Sequence, residues 1–212
     1  LQVKECVLQG SILPAVIEDF LSRCEGLIGF RRTSLRYDEY VYTFPNGVSI
    51  NKLSVPFRAR HHNPESKLQQ WDLRYVGPTE IKIPIRSVIN LERSADDPRA
   101  WLTDTGHVFD YCYSVTGYCF YLKGVSLSIY RAYKMSASSR PSLTPNNLLN
   151  ESFFVELTSQ CTPATSQETL ANLSAFAEKL APTVYLEPVA YNQLQKPTTQ
   201  TSATRTKSTT KL

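Results

Sequence analysis

Val108 to Lys134 reads VFDYCYSVTGYCFYLKGVSLSIYRAYK, and this stretch decides the fold class. It is dense in Tyr, Phe, Val and Ile, residues that suit a pleated, half-buried surface. The spacing predicts three strands, Val108 to Val115, Tyr118 to Leu122 and Val125 to Lys134, linked through Gly117 and Gly124. That pattern is a meander with hairpin turns.

Working outward, period-two stretches recur on both sides. Leu35 to Phe44, Val55 to Arg60, Gln70 to Val76 and Ile81 to Val88 read as strands upstream, and Phe153 to Ser159 downstream. Trp71, Leu73 and Tyr75 share one face of their strand, and Ile81, Ile83 and Ile85 one face of theirs. Asp97-Pro98 followed by Arg99-Ala100-Trp101-Leu102 predicts a short helix closed by Gly106. Ser136 to Asn150 is rich in Ser, Pro and Asn and reads as a loop.

Two helices frame this β region. The chain opens with a strand, Val3 to Gln9, broken by Gly10 and Ser11. Pro14 then sits in the first turn of a helix whose stripe is Val16, Ile17, Phe20, Leu21 and Cys24, with Gly26 as its stop. Near the other end, Thr165 and Glu168 fit a capping box. Leu170, Leu173, Phe176, Ala177 and Leu180 make that helix's stripe, Pro182 ends it, and Val184 to Val189 reads as a last strand. The expected class is mostly β within α+β: a multi-stranded antiparallel barrel flanked by an N-terminal and a C-terminal helix. Closure is expected because it removes exposed strand edges.

The 212-residue chain carries a formal charge of +4, but that charge is local. Residues 194–212 hold Lys196, Arg205, Lys207 and Lys211 and no acid; without those four, 19 basic residues face 19 acidic ones. A neutral body lacks the clustered excess of Lys and Arg that a dedicated nucleic-acid surface needs. The reading is one domain over 1–193 and a disordered basic Ser/Thr-rich tail over 194–212. Apolar runs fall short of the ~20 residues a membrane helix needs, and no secretory leader opens the chain. The five scattered cysteines read as reduced, buried thiols of an intracellular protein.

Several blocks, taken in order, resemble a known family. They begin with Val7-Leu8-Gln9-Gly10-Ser11-Ile12-Leu13, Leu21-Ser22-Arg23 and Gly26-Leu27. Pro56-Phe57-Arg58-Ala59-Arg60, Trp71-Asp72-Leu73-Arg74-Tyr75-Val76-Gly77 and Tyr121-Leu122-Lys123-Gly124 follow. Last come Val155-Glu156-Leu157, Ala175-Phe176-Ala177-Glu178-Lys179-Leu180-Ala181-Pro182 and Val184-Tyr185-Leu186-Glu187. Collinear as they are, these blocks resemble subunit 18 of the Mediator complex, a coactivator bridging regulators and RNA polymerase II. The departures are the insert from His61 to Leu68, the 136–150 loop and the basic tail. The resemblance implies a nuclear, non-enzymatic barrel in the Mediator head, paired with the related subunit 20 and held by a C-terminal helix of subunit 8. It implies no cofactor.

The implied barrel is similar to that of triphosphate tunnel enzymes, so catalysis is tested on residues. A metal tunnel needs alternating carboxylates on its first strand, because every second side chain points inward. Here Glu5 is followed at its inward partner position by Val7, and the late strand offers Glu156 between Phe154 and Thr158. Two isolated carboxylates make a poor divalent-metal site. His61 and His62 are adjacent and precede Asn63-Pro64, a loop signature, and His107 has no carboxylate at ligand spacing. No catalytic or metal residue is assigned, and no nucleotide or nucleophile motif occurs. The alternatives kept open are a tunnel phosphohydrolase and a nucleic-acid-binding barrel. The candidate protein-docking residues are Arg58, Arg60, Trp71, Arg74, Tyr75, Tyr121 and Arg131, types that dominate interface hot spots. The numerous tyrosines are expected either to join them or to fill the barrel.

Overall fold

The computed structural model describes residues 2–44, 56–80, 84–136 and 142–188. Eight strands form one antiparallel sheet: β1 Gln2–Ile12, β2 Thr33–Thr43, β3 Phe57–His62, β4 Gln70–Thr79, β5 Ile85–Ser94, β6 Val108–Leu122, β7 Val125–Lys134 and β8 Phe153–Cys161. In space they run β1-β5-β4-β3-β2-β6-β7-β8, and β8 pairs back onto β1, closing the barrel. Three helices accompany it: α1 Ile17–Ile28, entered through a 3-10 turn at Pro14–Val16, α2 Arg99–Asp104 and α3 Ser166–Glu178.

Alternation divides each strand between two surfaces. On the outside, Cys6, Leu8 and Ile12 of β1 meet Leu127 and Ile129 of β7 and Val155 and Leu157 of β8. Helix α1 adds Phe20, Leu21, Cys24 and Ile28, and the α3 segment adds Leu173, Ala177 and Leu180. Each large side chain so buried contributes roughly 1.5–3 kcal/mol. The two helices are also tied directly, since Arg23 of α1 donates to the carbonyls of Lys179 (2.7 Å) and Ala181 (2.9 Å) beyond α3. A second, smaller outer cluster, Tyr42, Ala59, Trp71 and Leu102, lies under α2.

Most elements lie where periodicity puts them, with instructive exceptions. Gly10 and Ser11 do not break β1. They pair with Val155 and Phe154, and Gly10 is needed because a Cβ there would sit 2.4 Å from the Tyr185 carbonyl. Gly26 is interior to α1, and Gly29 ends the helix with φ 76°, a left-handed conformation that suits glycine. Gly117 is no turn: β6 runs straight through it, flush against β7, where a Cβ would stand 2.1 Å from the Ile129 carbonyl. The turn is at Lys123-Gly124, both with positive φ.

Thr165 caps α3 without the expected box, because its Oγ1 turns to Thr162 instead. The last expected strand is reduced to one antiparallel bridge, Gln9 with Glu187. Its final residue Val189, the expected strand residues Val55 and Ile81 to Ile83, and the 194–212 tail fall outside the described residues.

Candidate functional site

With the helices and both apolar clusters outside, the opposite face of every strand turns into the barrel. Charged groups gather in that lumen among buried valines and tyrosines. Glu39 of β2 is its most deeply buried acid, fully shielded from solvent. Arg58 Nη1 donates to Glu39 Oε1 at 2.8 Å, and Arg60 donates to Oε2 through Nε (2.8 Å) and Nη2 (2.7 Å). The Tyr113 hydroxyl donates to Oε1 at 2.9 Å. Burial alone would raise the Glu39 pKa, but Arg60 and Arg58 outweigh it and hold the carboxyl at about 2. Burial of the two guanidiniums is likewise outweighed by Glu39, which raises their pKa. Arg60 also lies over the Tyr37 ring, 3.9 Å from its centroid.

A second cluster joins β1, β5 and β8. Arg86 bonds Glu5 Oε2 at 2.8 Å and reaches Glu156 Oε1 at 3.3 Å, while Gln9 Nε2 donates to Glu156 Oε2 at 2.6 Å. Burial works against the Glu156 carboxylate, yet Arg86 and Gln9 lower its pKa overall. At one end of the lumen Asp72 receives His62 (2.7 Å) and Arg93 (2.9 Å). Tyr113 and Tyr130 are buried well above the ordinary phenol pKa by desolvation. Among the described residues no group of three or more His, Cys, Asp or Glu converges as metal ligands would. The lumen acids face arginines.

The docking candidates therefore separate. Arg58, Arg60 and Arg74 point into the lumen. Trp71 and Tyr75 lie on the outer face of β4, and Arg131 on the outer face of β7, where it donates to the Glu151 carbonyl (2.8 Å) and covers Phe153. Tyr121, 64% exposed, stands at the end of β6. His61 and His62 belong to β3 rather than a loop. Their adjacency sends them to opposite faces: His61 stacks on Trp71 (4.2 Å between ring centroids, 4° between planes), and His62 meets Asp72. His107 is wedged edge-on between Phe44 and Phe57. Sequence reasoning missed Glu39, which shares its face of β2 with the buried Tyr37 and Val41.

Outside, beside the smaller cluster, a concavity of about 470 Å³ is lined by Trp71, Leu73, Leu91, Pro98 and Trp101, with Asp96 and Asp97 at its edge. Leu91 and Trp101 are 47% and 52% exposed there. Arg99 lies over Tyr40 and Trp71 and is paired with Asp97 at 2.6 Å, which stiffens one wall.

A closed antiparallel barrel with a salt-bridged lumen and helices packed on its exterior defines a tunnel-like β-barrel. Solved structures share that fold: a chain of the Schizosaccharomyces pombe Mediator head module superposes with a TM-score of 0.72 at 16% identity, covering 88% of this chain and 98% of that one. A putative adenylyl cyclase from Hippeastrum, described as having a dominant triphosphatase activity, does so at 0.53 with 8% identity, over 91% and 94%. Sequence is more particular. The family described as Med18 protein matches residues 32–196, and the chain belongs to that family. Mediator of RNA polymerase II transcription subunit 18 of Aedes aegypti is 30% identical over 198 residues, covering 90% of this chain and 86% of that protein.

Proposed function

We propose that this chain is a non-enzymatic structural and interaction subunit of the Mediator head, acting in the nucleus to couple regulators to RNA polymerase II. Family membership supports the assignment to the complex, and the salt-bridged lumen supports the absence of turnover. In this reading residues 1–193 act as one domain and residues 194–212 as an appended tail. The partners are subunit 20, a related barrel, and the C-terminal helix of subunit 8. The observation that carries a docking role is the half-exposed Trp101 and Leu91 over a concave apolar floor of Trp71 and Leu73. An amphipathic helix binds by laying its apolar stripe into such a groove, and a central aromatic contributes most to that kind of contact. Of the remaining candidates, Tyr75 shares the outer face of β4 with the groove floor, whereas Tyr121 at the end of β6 and Arg131 on the outer face of β7 belong to separate contacts.

Co-expression tests this. The chain is expected to be poorly soluble alone and to copurify with subunit 20 and the subunit 8 helix. Trp101→Ala with Leu91→Ser should weaken capture of the helix at least tenfold without lowering the thermal midpoint by more than a few degrees. A stable monomer indifferent to both partners would remove the proposal. Unchanged capture by the double variant would move the contact away from this groove.

A further inference from the structure

The lumen arginines are not evenly matched to its acids. Arg58 and Arg60 come from β3, Arg74 from β4 and Arg86 from β5, three neighbouring strands that form one basic wall. Glu39 on β2 stands to one side of that wall and Glu5 on β1 and Glu156 on β8 to the other, while Asp72 within it on β4 is taken up by His62 and Arg93. Arg58 and Arg60 turn to Glu39, and Arg86 turns to Glu5 and Glu156. Arg74, in the middle, has no carboxylate within ion-pair distance among the described residues; its Nε donates to the Asn90 side chain at 3.0 Å. Beside it, Arg58 is its cross-strand partner, and the buried Nε of Arg58 has no acceptor. The wall is nevertheless reached by solvent, since about a fifth of the Arg58 and Arg60 side-chain surfaces stays accessible (20% each). The wall thus combines partial solvent access, a guanidinium without a carboxylate partner and an unused donor.

We propose that the barrel lumen binds a small free phosphate-bearing anion, held by Arg74 with Arg58 and Arg60, without a metal ion and without turnover. Guanidiniums meet phosphate oxygens through paired N–H donors, which gives both charge and geometry. Arg74 supports this from another side: burial and then the charge of Arg60 lower its pKa, a penalty that a bound anion would offset. The acids that would otherwise carry a divalent ion are already engaged by Arg58, Arg60 and Arg86, which is why the anion is expected to bind directly to guanidinium.

The test uses the full chain with inorganic phosphate and tripolyphosphate as probes, in chelator and against chloride at matched ionic strength. Tripolyphosphate should raise the thermal midpoint by several degrees and bind stoichiometrically in calorimetry; phosphate should do the same more weakly. Arg74→Gln should weaken tripolyphosphate at least tenfold. Asn90→Asp, which gives Arg74 its own carboxylate, should do likewise while keeping the fold stable. Arg131→Gln, on the outer face, and deletion of residues 194–212 should leave binding intact. Absence of stabilisation in the wild-type chain, loss on tail deletion, a requirement for Mg²⁺, or full binding by both Arg74→Gln and Asn90→Asp would each overturn the proposal.

Discussion

Cys6 and Leu8 of β1 point outward into an apolar layer closed by α1 and α3, while Glu5, immediately before Cys6 in sequence, points inward to Arg86. The same strands therefore hold two surfaces together by opposite means. Outside, burial of Phe20, Leu21, Leu157 and Leu173 removes apolar area from water and needs no partner geometry. Inside, Glu39 and the arginines gain little net energy from being buried, because lost hydration cancels much of their attraction. What the lumen gains from each ion is conditional on the partner remaining. The outer layer should respond to substitutions one residue at a time, and the lumen as a set.

That contrast is most sharply broken or kept by Glu39. Glu39→Ala leaves Arg58 and Arg60 buried and unpaired and should cost about 3–5 kcal/mol in chemical denaturation. The triple variant Glu39→Leu, Arg58→Met, Arg60→Met removes the charges together and should cost clearly less than the single change. Phe20→Ala in the outer layer should also cost about 3–5 kcal/mol, but its effect should add to that of either lumen variant, because the sites share no partners. A triple variant worse than Glu39→Ala would mean that the lumen behaves as ordinary packing.

Acid separates the two surfaces next. The Glu39 pKa is depressed from an ordinary ~4.3 in the unfolded chain to about 2 in the fold. Its stabilising contribution is therefore complete above the unfolded value and is lost as pH falls from about 4.3 towards 2. Glu156 shifts in the same direction and adds to the loss. Stability of the wild type should drop by a few kcal/mol across that window. The difference between wild type and Phe20→Ala should stay constant across it, whereas the difference between wild type and Glu39→Gln should shrink. A flat acid profile for the wild type would remove the lumen ion pairs from the stability of the fold.

The two surfaces also explain what could be read from the sequence. Period-two alternation locates the strands, though it splits β6 at Gly117, and the 3.6 period places α1 and α3, because each signal is local. The sense of alternation is not local. Assuming that apolar residues fill a barrel puts Arg58, Arg60 and Arg74 outside; here the helices cover the exterior, so the two apolar clusters point outward and the arginines inward, among Val7, Val41, Val88 and Val115. Glu39 escaped notice for the same reason, as an acid beside Asp38 and among tyrosines in β2 looks like a solvated position until the sheet closes. Trp71 was legible as an anchor residue, but its groove depends on Leu91 and Trp101, brought beside it only by the β4–β5 pairing and α2.

Glycine gives the finest version of the comparison. Gly117 in β6 and Gly26 in α1 read alike as punctuation in the sequence, yet neither ends its element. An added Cβ at Gly117 would stand 2.1 Å from the Ile129 carbonyl and 2.6 Å from Tyr130 Cα, so the β6–β7 backbone would have to part. At Gly26 a Cβ meets nothing within 4 Å, and alanine restricts the unfolded chain and favours helix. Gly26→Ala should therefore stabilise by about 0.5–1 kcal/mol, measured as a rise in denaturation midpoint at unchanged slope. A loss at Gly26 would mean that α1 packs against something its open side does not meet in this chain alone, which would make that side a second place to look for a partner.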